Sequence, residues 1–217
     1  MVLGAKPQIK LEKIMGCKNW VMTEIGRISQ LHESKRNGLQ NGNFDAHLFK
    51  TQADNIRQTI RRGQNEQFLS ELRITSPNSP SYANSPIRPQ EIITRMFTRA
   101  AHIYLELVVG GFKRVEENSD FCDVVDEVMM MLPSLPRVDP FRATVCPLYI
   151  FGCMAKAEDR QMFRNMFSSL PLNDPFMHHR STILPLLEKV WSLRDTHSND
   201  VSWENVVELS EDKIIFI

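Results

Sequence analysis

Residues 181–191, STILPLLEKVW, set Ile183, Leu186, Leu187, Val190 and Trp191 at i, i+3, i+4, i+7 and i+8. That spacing gathers five apolar side chains on one face of an α-helix, whereas a half-buried strand would alternate every second residue. Upstream, FRATVCPLYIFGCMAKAE (141–158) is apolar almost all round, which predicts a central helix buried on most faces. Pro147 falls near its second turn and is expected to bend it, and Asp139-Pro140 suits its start. Between these two segments, Met162, Phe163, Met166, Phe167 and Leu170 repeat the helical period.

The period continues toward the N-terminus. Phe121, Val124, Val125, Val128, Met129 and Leu132 form a core-facing stripe, with Ser119 as its cap and Pro133 as its stop. Ile93, Phe97, Ala100, Tyr104 and Leu107 form another, closed by Gly110-Gly111. Phe49, Ala53, Ile56 and Ile60 give a third, in a stretch from Phe44 to about Leu72 where Gly63 is a candidate break. Val21, Ile25, Ile28 and Leu31 give a fourth, of roughly 18 residues at the helical period, ending near Asn37-Gly38. Ser202 can cap a short helix through Trp203, Val206 and Val207. The expectation is an all-α fold, a single compact array of seven to nine helices over residues 1–217. One loop interrupts it at 75–89, TSPNSPSYANSPIRP, whose prolines lack a backbone donor. Its Ser-Pro steps at Ser76, Ser79 and Ser85 are candidate sites of proline-directed phosphorylation.

Composition narrows the function. With 26 Lys and Arg against 26 Asp and Glu, the chain lacks the basic excess that gripping a phosphate backbone requires, so direct nucleic-acid binding by this segment is not expected. No run approaches the ~20 apolar residues of a membrane span, and the first residues do not read as a secretory signal. Cys17, Cys122, Cys146 and Cys153 lack the close pairing of zinc or disulfide frameworks, so no metal or cofactor and a reducing compartment are expected. His178-His179 have no placed carboxylate partner. Glu158, Asp159 and Arg160 read as an exposed charged turn, Asp123, Asp126 and Glu127 as a solvated helix face, and Arg57, Arg61 and Arg62 as a small basic patch. There is no Gly-rich phosphate loop, nucleophile elbow or His-Glu-x-x-His motif, and an enzyme is not expected.

The order VCPLYIFGCMAKAEDRQMFRNMF, then ILPLLEKVWSLRD, then VSWENVVE resembles the regulatory domain of fungal-specific transcription factors. The matching positions are Pro147 to Cys153, Glu158 to Arg160, Val190-Trp191 and Asp200 to Trp203. IMGCKNWVMTEIGRISQLHESKR, residues 14–36, is similar to an earlier segment of that family, while residues 38–120 match only as generic helices. The family's DNA reader, six cysteines on two zinc ions, has no counterpart here, so DNA binding does not carry over. The resemblance implies action in the nucleus by a domain that senses an apolar small-molecule effector or contacts other transcriptional regulators. Met129, Met130, Phe141, Phe151 and Met154 are the candidate pocket residues, because methionine is polarizable and adaptable; the alternative is that they fill the core. Trp191 and Trp203 are expected as packing anchors. A stand-alone helical scaffold, or a small enzyme whose site is assembled from distant residues, are the other readings left open.

Overall fold

The computed structural model describes residues 16–74, 89–121, 123–135, 143–169, 172, 182–196 and 201–208. Among these there are eight α-helices and no strand: α1 Asn19–Gln40, α2 Ala46–Ile74, α3 Pro89–Glu116, α4 Val124–Met131, α5 Val145–Met154, α6 Arg160–Phe167, α7 Ile183–Thr196 and α8 Trp203–Glu208. Short 3-10 turns at Ser119–Phe121 and Leu132–Ser134 flank α4. The all-α expectation holds. Residues 75–88 of the Ser-Pro loop, Asp139-Pro140, Leu170 and His178-His179 lie outside the described residues, and Pro89, expected in the loop, opens α3.

Helix α3 is the axis of the array, packed by α1, α2, α5 and α8. From Ile92 to Val108 every residue except Arg95 and Arg99 is buried, because IITRMFTRAAHIYLELV offers apolar or small side chains on nearly every side. The exceptions to its apolar character come at a fixed interval. Thr94, Thr98, His102 and Glu106 are buried polar residues four apart, a row that winds slowly around the helix. The threonines satisfy themselves against the preceding turn, Thr94 donating to the Gln90 carbonyl at 2.6 Å and Thr98 to the Thr94 carbonyl at 2.7 Å. Thr94 also accepts the Lys18 N–H at 3.2 Å, which pins the start of α1.

Several helix limits differ from those expected, each for a local reason. α1 passes Asn37-Gly38 and stops at the second Asn-Gly pair, where Gly42 (φ 69°) takes the left-handed conformation. There the Asn43 N–H donates to the Gly38 carbonyl at 2.9 Å and the Gly42 N–H to that of Leu39 at 3.4 Å. α2 runs straight through Gly63, because that glycine is a packing notch: a Cβ there would sit 2.2 Å from the Trp20 ring of α1. Its start is fixed by Asp45, whose Oδ1 accepts the Leu48 N–H at 2.9 Å, and by Phe44 packed on Phe49 with ring centroids 5.4 Å apart. Ser119 begins a 3-10 turn rather than capping α4, whose preceding residue is Asp123. Pro147 is the third residue of α5, where its missing N–H has no helical partner in any case.

Candidate functional site

Of the five sequence-derived pocket residues, Met129 and Met130 lie on α4 and Phe151 and Met154 on α5. Phe151 is completely buried in the core, Met129 and Met154 are half-buried against it, and Phe141 lies outside the described residues. Met130 is 75% exposed. α4 presents Val124 and Val128 to the core, and two further residues turn Met130 about 200° away from Val128. A small apolar cavity of about 10 Å³, room for at most one water, lies elsewhere, at the junction of α1, α3 and α5. Ile25, Ala100, Ala101, Tyr104, Cys146 and Ile150 line it.

Gly152, Cys153, Arg160 and Trp191 of the sequence signature converge on the C-terminal end of α5, whereas Trp203 packs against Tyr104 and Phe112 of α3. The last carbonyls of a helix have no partner within it, and here α7 supplies them. Trp191 Nε1 donates to the Gly152 carbonyl at 2.7 Å, and Arg194 Nη1 donates to those of Cys153 and Ala155 at 2.6 and 3.0 Å. Gly152 is small because it must be: a Cβ would lie 2.9 Å from both Leu187 methyls. Arg160, expected on an exposed turn, is instead a bracket over this junction. It makes a two-bonded pair with Asp195, both bonds at 2.7 Å, and its guanidinium lies 5.6 Å from the Trp191 ring. Arg164 stacks on the same ring at 5.2 Å and bonds Glu188 at 2.6 and 3.0 Å. Arg194 extends the bracket to α3 through Glu116 at 2.7 Å. The arrangement is a clamp of α5, α6 and α7 around one indole.

A second polar cluster lies between α2 and α3. Glu106, 2% exposed, accepts Arg57 Nε at 2.6 Å on one oxygen and Arg114 Nε on the other, and Arg57 also pairs with Asp54. Burial alone would raise the Glu106 carboxyl, but the hydrogen bonds from the two guanidinium groups outweigh it and hold the group below the usual carboxylate range. Arg57 is therefore not a free basic patch. His102, one turn back and 3% exposed, meets the edge of Phe121 at 4.8 Å, and burial lowers its pKa to about 4. Nearby, Glu127 leaves the solvated face expected for it. It receives Arg95 at 2.6 and 3.0 Å and Arg99 at 2.9 Å, tying α4 to α3, whereas Asp123 and Asp126 are exposed as anticipated. None of this cluster was singled out as a site from the sequence. The readable signal was the recurrence of polar residues every four positions within an otherwise apolar helix.

Chemically, both clusters hold charges against opposite charges. Burial pushes the thiols of Cys146 and Cys153 up to about 12, so both stay protonated and are poor nucleophiles. Among the described residues no group of three or more His, Cys, Asp or Glu is placed to hold a metal ion, and no helix is long and apolar enough to cross a membrane.

Over residues 3–217 the sequence matches the family described as the fungal specific transcription factor domain. It is similar to pestheic acid cluster transcriptional regulator 3 of Pestalotiopsis fici, with 34% identity over 216 residues that cover 99% of this chain and 37% of that protein. Transcription factor dibT of Pestalotiopsis microspora is 29% identical over 219 residues, 93% of this chain and 33% of its own length. The trichothecene biosynthesis transcription regulator TRI10 of Trichoderma arundinaceum is 25% identical over 201 residues, covering 92% and 43% respectively. The chain spans less than half the length of each of these curated relatives. No solved structure matches it.

Proposed function

The chain belongs to the fungal-specific transcription factor domain family, and from that premise we propose that it is the regulatory part of a fungal transcriptional regulator, acting in the nucleus through contacts with other regulators. The observation that carries this reading is the match over nearly the whole chain to proteins named as transcription regulators. The charge balance of 26 against 26 gives this segment no basic excess with which to grip a phosphate backbone. The structure is in keeping with a contact module: the carboxylates of Glu106 and Glu127 are taken up by arginines of the fold itself, and recognition then falls to the outer helix faces.

The experiment is to tether the chain to a heterologous DNA-binding module in a fungal host and read a reporter. A reporter that rises or falls relative to the module alone supports the reading. Output identical to the module alone, with the fusion expressed and folded, contradicts it. A second reading, an apolar small-molecule effector, draws on Met129 and Met154, adaptable side chains half-buried at the edge of the core. A thermal-shift screen with sterols and lipids tests it. Saturable stabilisation by one class is expected, and uniformly flat melting counts against it.

A further inference from the structure

Helix α4 is held to the array by one face and one flank. Val124 and Val128 face the core, where α4 packs on α3 and α5. One flank is closed by charge, because the Glu127 carboxylate holds Arg95 and Arg99 of α3. The other flank carries Val125, Met129 and Leu132, at i, i+4 and i+7, all half-buried against the core. Beyond them Met130 stands 75% exposed, the most exposed large apolar side chain among the described residues. Asp126, four residues before it, shares that outward face. A helix face left to water normally carries polar side chains throughout. Here a thioether occupies it, beside an apolar flank.

The surroundings of this face carry one sign of charge. From Glu116 to Leu135 the sequence holds six acids and neither lysine nor arginine. Glu116 and Glu127 are taken by arginines of the fold, and Glu117 lies 3.8 Å from Lys113. Asp120, Asp123 and Asp126 are exposed and meet no cation among the described residues, and the Asp123 side chain makes no capping bond to α4. Charge decides what can cover the face. A second copy set on it face to face would bring Asp123 and Asp126 against their own counterparts, and a phosphate backbone or an anionic lipid surface would meet the same repulsion. A helix with an apolar stripe flanked by basic residues satisfies both features, since methionine adapts to the arriving side chains while the aspartates pair with the bases. We propose that the outward face of α4, with Met129, Met130 and Leu132 beside Asp123 and Asp126, is a docking surface for a basic amphipathic helix of a partner protein. That the partner is a regulator rests on the contact reading above; the surface itself rests on exposure and charge.

Two labelled peptides of about 18 residues, long enough to hold a helix, probe the surface. Both carry leucines along one face, and the opposite face is lysine in one and glutamate in the other. The full chain is expected to bind the Leu/Lys peptide saturably and the Leu/Glu peptide at least about tenfold more weakly. Met130→Gln should weaken Leu/Lys binding about fivefold. Asp123→Lys combined with Asp126→Lys should reverse the preference between the peptides. All three positions are exposed, so each variant should keep the melting midpoint of the unsubstituted chain. Absence of saturable binding, equal binding of the two peptides, or binding that ignores both variants overturns the proposal. So does a dimer of the unsubstituted chain that dissociates on Met130→Gln, which would give the face to a second copy. The tethered reporter separates the surface from the transcriptional reading. Peptide selectivity with a silent reporter upholds the surface and removes that reading, whereas an active reporter that both variants leave unchanged overturns the surface.

Discussion

The clamp of α5, α6 and α7 and the seam between α2 and α3 both bury polar atoms, and they do so in opposite ways. In the clamp the buried acceptors are neutral helix-end carbonyls, met by an indole N–H and one guanidinium, while the remaining charges sit at the rim, where Asp195 and Glu188 are half-exposed. In the seam a full carboxylate is buried and held by two arginines. The first arrangement risks little, because a neutral carbonyl left unpaired costs about 1–3 kcal/mol. The second depends on every partner, since an uncompensated buried charge costs about 3–5 kcal/mol.

The largest effect should come from removing the clamp's centre. Trp191→Ala deletes a fully buried indole and its bond to Gly152, and a loss of about 4 kcal/mol is expected from urea denaturation. A loss under about 1 kcal/mol would mean the clamp is peripheral to the fold. Glu106→Leu should cost about 3 kcal/mol, because Arg57 is left buried beside an apolar side chain. The same chain with Arg57→Met added should recover to within about 1 kcal/mol of the unsubstituted protein, since an ion pair replaced as a whole is nearly neutral. Failure to recover would show that the pair contributes net stability.

Acid titration separates the two regions further. Folded His102 stays neutral until about pH 4, whereas the unfolded chain takes up that proton near 6.5. Its contribution is complete above pH 6.5 and is lost as pH falls toward 4, because the unfolded state then binds more protons. The loss should reach about 3 kcal/mol over that window. Glu106, depressed below its ordinary 4.5, adds a further loss below about that pH, again because the unfolded carboxyl protonates first. Arg57, Arg61, Arg99 and Glu106 are the charges that act on His102. Replacing it by leucine should flatten the stability curve between pH 6.5 and 4.5, and an unchanged slope would assign the acid response to other groups. Gly152→Ala should be milder, about 2 kcal/mol, as Leu187 and Phe163 shift to admit a methyl group. Arg164→Ala should lower the melting midpoint only slightly, because its pair with Glu188 is open to water and its stack on Trp191 is an exposed one.

The contrast also explains what the sequence could tell. The stripe Ile183, Leu186, Leu187, Val190 and Trp191 is buried in full, because apolar period alone decides which face of a helix turns inward. Trp191 and Trp203 are buried anchors as expected. A run of three methionines gives no phase by itself, and the buried Val124 and Val128 set the face from which Met130 turns away. Gly63 was ambiguous because sequence records its helix propensity but not the Trp20 ring that needs the space. Arg160 looked like surface charge, and only the fold brings Asp195, 35 residues away, onto it. The seam was hidden for the same reason: Arg57 and Glu106 are 49 residues apart, and no local pattern announces a pair at that distance.

On this account the residues around Trp191 hold the domain together and are not themselves the surface of the proposed contacts. Its most direct test is the reporter output of the tethered chain carrying Trp191→Phe, measured per folded molecule. This variant keeps an aromatic ring but cannot donate to the Gly152 carbonyl. The account predicts a lower melting midpoint with output per folded molecule unchanged. A stably folded variant with its output lost would contradict it and make Trp191 part of the contact surface.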